Sequence, residues 1–250
     1  GLVESMREAF STPVGAPLVP ELPIRFRNTE ILTVAYPTDR RAVEAFLPAP
    51  LVAFSDTVLL HQYVMHDPDR FGPHREFAVQ LDAGLPDGSV RGAYSPLIML
   101  STDGGLATGR EIYGQPKKLG APVLEVRGDL LVAVARRNGI DVATLTMPYK
   151  PGVGDVAELV ARVPFTTNLN YKVVPHVDGS TAIRQITART LEDVIVHECH
   201  VGPATVELRA NAQFPLHRLP VRGEAVGYHW RTDFTLPFGR VVVDLLESPA

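Results

Sequence analysis

Turn signals recur along this chain too often for long helices to form between them. Val123-Leu124-Glu125-Val126, Leu130 to Arg136 and Ile140 to Met147 are short apolar or β-branched runs. Arg127-Gly128-Asp129 and Asn138-Gly139 part them. An Asn-Gly pair between two such runs marks a tight hairpin, because the favoured turn needs a positive φ at both central residues. The same rhythm predicts strands over 30–36, 57–65, 77–81, 94–101, 165–174, 182–188, 193–201, 204–208, 228–236 and 241–246. The 22 prolines are spread throughout and no linker stands out. Thr38 to Leu47 reads as a helix, capped by Thr38 or Asp39 and stopped by Pro48, and residues 3–9 as another short one. Pro13, Pro17, Pro20 and Pro23 then forbid regular structure. The expectation is an α+β, mainly antiparallel β domain over residues 1–250, barrel-like or double-layered.

Composition narrows the function classes. Of 250 residues, 45% are hydrophobic and 21% charged, with a formal net charge of −4. A nucleic-acid binder normally carries a basic excess, and a small acidic excess disfavours an anionic membrane surface. No apolar run approaches the length needed to cross a bilayer. The single cysteine, Cys199, excludes an internal disulfide and fits a reducing cytoplasm, and residues 1–7 lack the pattern of a signal peptide.

Gly109-Arg110-Glu111-Ile112-Tyr113-Gly114-Gln115-Pro116-Lys117-Lys118-Leu119-Gly120 holds two lysines in an apolar, glycine-rich setting. A lysine in a poorly solvated pocket, or beside another cation, loses its proton more easily and can attack a carbonyl to form a Schiff base. The plain alternative is a pair of solvated loop lysines. Arg110 and Glu111 are either a solvated pair or a support for the lysine turn, and they point apart if that segment is extended. Glu76, beside Arg75, is either a surface ion pair or a general acid/base. His197-Glu198-Cys199-His200 invites a metal, but strand alternation sends His197 and Cys199 one way and Glu198 and His200 the other, so a structural role is expected and neither metal nor cofactor is predicted. Neither a P-loop order nor a Gly-x-Ser-x-Gly element is present.

Along most of its length the chain resembles the acetoacetate decarboxylase family. The shared landmarks run from Ser11-Thr12-Pro13, Tyr36-Pro37-Thr38-Asp39 and Pro48-Ala49-Pro50-Leu51 to Met65-His66-Asp67, Gly109-Arg110-Glu111 and Pro116-Lys117-Lys118-Leu119-Gly120. Pro175-His176-Val177-Asp178-Gly179, Val196-His197-Glu198 and Gly202-Pro203 complete them. That family's lysine pair is itself the standard illustration of an activated amine. The resemblance implies a double-layered β-sheet around a central cone-shaped barrel, and a homo-oligomer. It implies Lys117 as the Schiff-base lysine, Lys118 as the neighbour credited with lowering its pKa, and Glu76 as an active-site glutamate. Gln115, Arg110 and Glu111 would line or support the pocket. Two positions depart from the pattern. Thr29 stands where the family's decarboxylases carry an active-site arginine, with Arg25 or Arg27 as nearby substitutes. His61 stands where they carry a second glutamate, and becomes a further acid/base candidate.

The leading expectation is a carbon–carbon lyase that forms an iminium and an enamine on a small oxo acid, decarboxylating a 3-oxo acid such as acetoacetate. The same enamine on a 2-oxo acid such as pyruvate would support aldol condensation and dehydration, or cyclisation. A non-catalytic barrel holding a small ligand is the reading outside enzymology.

Overall fold

In the computed structural model, which describes residues 8–247, β1 (Ile24–Pro37) is the spine. Its Leu32, Val34 and Tyr36 face one way, Ile31, Thr33 and Ala35 the other, and all six are buried. A strand of period two that is buried on both faces must lie between two layers. β1 pairs antiparallel with β2 (Val52–Met65) on one side and with β13 (Ala225–Leu236) on the other. Beyond β2 the sheet runs through β4 (His74–Gly84), β5 (Arg91–Leu100), β10 (Thr167–Pro175), β11 (Thr181–Thr190) and β14 (Arg240–Asp244). Beyond β13 it runs through β12 (Glu192–Leu208), β9 (Ile140–Pro148), β8 (Leu130–Arg137) and β7 (Val123–Arg127). β3 (Asp67–Pro68) pairs with β1 off this path, and β6 (Lys117–Leu119) lies parallel to β5.

Packing closes this ribbon into two layers. Leu131 and Ala133 of β8 and Leu145 and Met147 of β9 share one core with Leu32 and Val34 of β1, Leu60 of β2 and Phe77, Val79 and Leu81 of β4. Strands far apart along the path therefore meet face to face, and the sheet curls back over itself. At roughly 1.5–3 kcal/mol for each large apolar side chain taken from water, this shared core is the main force holding the curl. On the other face, Ile31, Leu59 and Trp230 pack against Val156 and Leu159 of the helix α3 (Val156–Arg162) and against Val163, which follows it. The mainly antiparallel, double-layered architecture is the one expected.

Most expected strands occur, lengthened at their ends. The Asn138-Gly139 turn carries positive φ at both residues, 51° and 73°, and Gly128 has φ 60°. The strands expected at 193–201 and 204–208 are one, because Gly202 and Pro203 keep their pairing with Gly227 and Val226. The helix after Asp39 spans Arg40–Phe46 (α1). The helix expected over 3–9 falls outside the described residues apart from Glu8 and Ala9, which are not helical. The segment 103–113 is the main surprise. It is helical, with α2 (Asp103–Thr108) running into a π-helical turn over Gly109–Tyr113. Three glycines in seven residues mask any helical propensity there. Arg110 and Glu111 thus sit on a helical turn instead of an extended segment.

Candidate active site

The site is built where this π turn meets β6. π turns are rare and concentrate at functional sites. Gly114, at φ 79°, ends the turn in the left-handed region, and a Cβ there would lie 2.2 Å from Cβ of Lys172. Lys172 in turn donates to the Ile112 carbonyl at 3.0 Å, satisfying a free end of the turn. Gln115 donates its backbone N–H to the Gly109 carbonyl at 2.9 Å, and its buried side chain donates to Asn168 Oδ1 at 2.9 Å. Asn168 donates onward to Ser95 Oγ at 2.8 Å and to the Ala93 carbonyl at 3.1 Å. This amide network ties the loop before Lys117 to β5 and β10.

Lys117 then enters β6, and its stem crosses Gly109. A Cβ on Gly109 would sit 2.4 Å from Cδ and 2.6 Å from Cε of Lys117. The amine lies 3.0 Å from Glu76 Oε1 and donates to the Gly105 carbonyl at 3.2 Å. Both side chains are only 12% exposed. Glu76 Oε1 makes no well-aligned hydrogen bond with a described residue, so the contact is one of charge more than of directed bonding. Around the pair opens a cavity of about 80 Å³, walled by Phe26, Tyr63, Met65, Phe71, Tyr113, Phe165, Trp230 and Phe234 among others. At about 10–15 Å³ for each water this is room for a small organic acid.

Lys118 takes the opposite side, as alternation along a strand requires. Its amine donates to the carbonyl and to Oε1 of Gln213 at 2.7 and 3.0 Å, away from the cavity. Burial, with the nearby charges of Arg137 and Arg110, lowers its pKa. Nothing in this geometry places its ammonium beside the Lys117 amine.

His61 shares a face with Glu76 but lies one strand pair deeper. Tyr63 stands directly opposite Glu76, and His61 opposite Ala78. The imidazole is fully buried, with Nδ1 2.8 Å from Thr33 Oγ1 and Nε2 2.8 Å from Gln80 Oε1. The rings of Tyr63 and Phe165, with centroids 5.5 and 5.1 Å away, cover it and form the cavity wall themselves. Burial holds its pKa down to about 4, so it is neutral near pH 7. An acid/base role at the substrate, expected from its sequence position, does not fit a ring closed behind that wall.

Thr29 is also fully buried, follows a bulge in β1, and does not line the cavity. Arg25 and Arg27 do not replace an arginine there. Half-buried Arg25 donates to the Asp193 carbonyl at 2.9 Å and exposed Arg27 pairs with Asp69 at 2.6 Å, and neither lines the cavity. Arg110 is exposed and reaches back to the Lys117 carbonyl at 3.3 Å, while Glu111 is exposed. Gln115 does line the cavity. His197 lies 2.9 Å from Asp233, and His200 2.7 Å from Glu198. Among the described residues no group of three His, Cys, Asp or Glu side chains could hold a metal ion, and no helix is long and apolar enough to cross a membrane.

Among the cavity residues not singled out from the sequence are His74 and Arg189. His74, with Nδ1 2.9 Å from the Gly72 carbonyl, has its pKa lowered, first by burial. It sits two residues before Glu76, so alternation along β4 could have placed it on the same face. Arg189 comes from β11, and nothing in its local sequence marks it.

The sequence profile of the family described as acetoacetate decarboxylase matches residues 10–246. The chain is 36% identical to an acetoacetate decarboxylase of Acidiphilium cryptum over 241 residues, covering 95% of this chain and 96% of that one. A solved structure of an acetoacetate decarboxylase superposes with a TM-score of 0.90 at 32% identity, over 98% of this chain and 99% of the other. The acetoacetate decarboxylase of Legionella pneumophila gives 0.89 at 30% identity, over 99% and 97%. With a matching profile over nearly the whole chain, full-length relatives and the same fold, the protein belongs to the acetoacetate decarboxylase family of carbon–carbon lyases.

Proposed function

We propose that this protein decarboxylates a small 3-oxo acid of the acetoacetate class through an imine on Lys117. The observation that carries the reading is the amine–carboxylate pair of Lys117 and Glu76, 3.0 Å apart, lining a largely apolar cavity. The neutral amine adds to the ketone carbon, and loss of water leaves an iminium. The bond between the α-carbon and the carboxylate then breaks. Its electron pair moves into the iminium, CO2 departs, and an enamine remains. Protonation of the enamine carbon followed by hydrolysis releases the ketone and the free lysine. Glu76 is placed to take a proton from the attacking amine and to return one during these steps. The aromatic wall keeps bulk water away from the iminium and enamine.

Borohydride added during turnover of acetoacetate tests this. The expected product is a reduced adduct on Lys117 by mass spectrometry, with CO2 released in parallel without reductant. No adduct across a panel of small oxo acids would remove the proposal. An adduct with pyruvate and no CO2 from any 3-oxo acid would shift it to aldol chemistry. Assembly into a homo-oligomer and a cytoplasmic setting belong to the same reading. They are supported by the exposed Val194, Ile195 and Val196 and by the lone free cysteine. Light scattering of the purified protein would check the assembly.

A further inference from the structure

Of the permanently charged or carboxylate side chains that line this cavity, one has no partner among the described residues. Lys117 has Glu76. Arg189, whose guanidinium borders the same cavity, has neither a hydrogen bond nor an ion pair from its side chain to any described residue. Its Nε is sealed from solvent and unpartnered. Leaving a buried cationic donor unsatisfied is costly, and such groups persist where a ligand completes them. The group is also held in place: its Cζ stands 6.0 Å over the ring of Tyr113, and the Tyr113 hydroxyl is fixed by a 2.6 Å bond to the Pro237 carbonyl.

We propose that Arg189 is the carboxylate-binding residue of this cavity, gripping the acid group of the substrate while Lys117 engages its ketone. This rests on the reading of Lys117 as the imine-forming lysine. A planar guanidinium presents parallel N–H donors that match the two oxygens of a carboxylate, which a lysine cannot do. Glu76 repels an acid group, so the substrate must turn its carboxylate away from the Lys117–Glu76 pair. Of the cavity-lining side chains, Arg189 is the remaining permanent cation. The chemistry also sets how the contribution divides. The carboxylate becomes neutral CO2 in the step that follows imine formation, so its ion pair with Arg189 is strong in the ground state and fades in the transition state. Interactions of that kind lower KM without speeding the chemical step, so their removal raises KM and does not lower kcat.

The test uses the whole protein and a readout separate from lysine chemistry. Trp230 is the only tryptophan and lines this cavity. Its fluorescence can therefore follow butyrate and its neutral isostere butyramide, neither of which can form an imine. Wild type is expected to bind butyrate at least about tenfold more tightly than butyramide, and R189M to lose that preference, with R189K in between. For acetoacetate, R189M is expected to raise KM by at least about tenfold with kcat lowered no more than about threefold. Borohydride trapping of acetone on Lys117 should persist in R189M. Equal affinity of wild type for butyrate and butyramide overturns the proposal, and needs no variant. So does a folded R189M that keeps the butyrate preference, or one that loses acetone trapping along with acetoacetate turnover. A wild type that prefers butyrate but forms no adduct with any oxo acid defeats the decarboxylase reading alone.

Discussion

On the inner side of β6, Lys117 reaches across Gly109 into a cavity whose walls are largely aromatic, and its amine meets one carboxylate and one carbonyl. On the outer side, its neighbour Lys118 bonds to Gln213 twice and lies near Arg137 and Arg110. The two side chains leave adjacent α-carbons and enter different media. A cation in the high-dielectric outer layer acts weakly on an amine across the strand. In this geometry the cavity surrounds Lys117 and Glu76, and Lys118 pins β6 to the loop carrying Gln213.

Substitutions on the two sides of β6 should separate by orders of magnitude. K117A is expected to abolish adduct formation and lower kcat/KM by about 10⁴-fold or more, since no other amine lines the cavity among the described residues. E76Q keeps the shape of the carboxylate but not its charge, and should cost about 10²–10³-fold in kcat under steady-state assay. G109A probes the crossing point. Its backbone angles suit alanine (φ −60°, ψ −46°), so a thermal melt should show little change. The added methyl must displace the Lys117 stem, and kcat/KM should fall by about 10²-fold. K118A should lower kcat/KM by less than about tenfold. A K118A loss as large as that of K117A would erase the contrast between inner and outer faces.

The smallest effect concerns the buried ring behind the wall. The folded pKa of His61 lies near 4, below its ordinary 6.5, so the unfolded chain binds more protons between those values. Stability from the neutral ring is complete above about pH 6.5 and is lost as pH falls toward 4, by up to about 3 kcal/mol. H61Q should flatten this acid limb in urea titrations at pH 5 and pH 7.5. A change in the pH–rate profile of the same variant, without a change in stability, would bring His61 back into the chemistry.

Legibility differed by region. The hairpin at Asn138-Gly139 and the buried runs at 57–65 and 77–81 could be read directly, because turn chemistry and period-two burial act over a few residues. Glycine-rich 103–109 could not, because its helix is held by the packing of Gly105 against Leu100 and by the amide network at Gln115, and neither leaves a local propensity. Glu76 and Lys117 could be picked out as chemical types, but their meeting depends on β6 lying parallel beside β5.

The amino-acid order by itself determined the strand and turn rhythm and the family landmarks, and singled out Lys117 as a candidate, since these depend on residue type and short spacing. The curl of the sheet decided the rest. It put Lys118 outside and His61 behind Tyr63 and Phe165. It also brought Arg189, from 72 positions further along the chain, to the cavity of Lys117. Long-range burial assigns those places, and no short window of sequence carries the information.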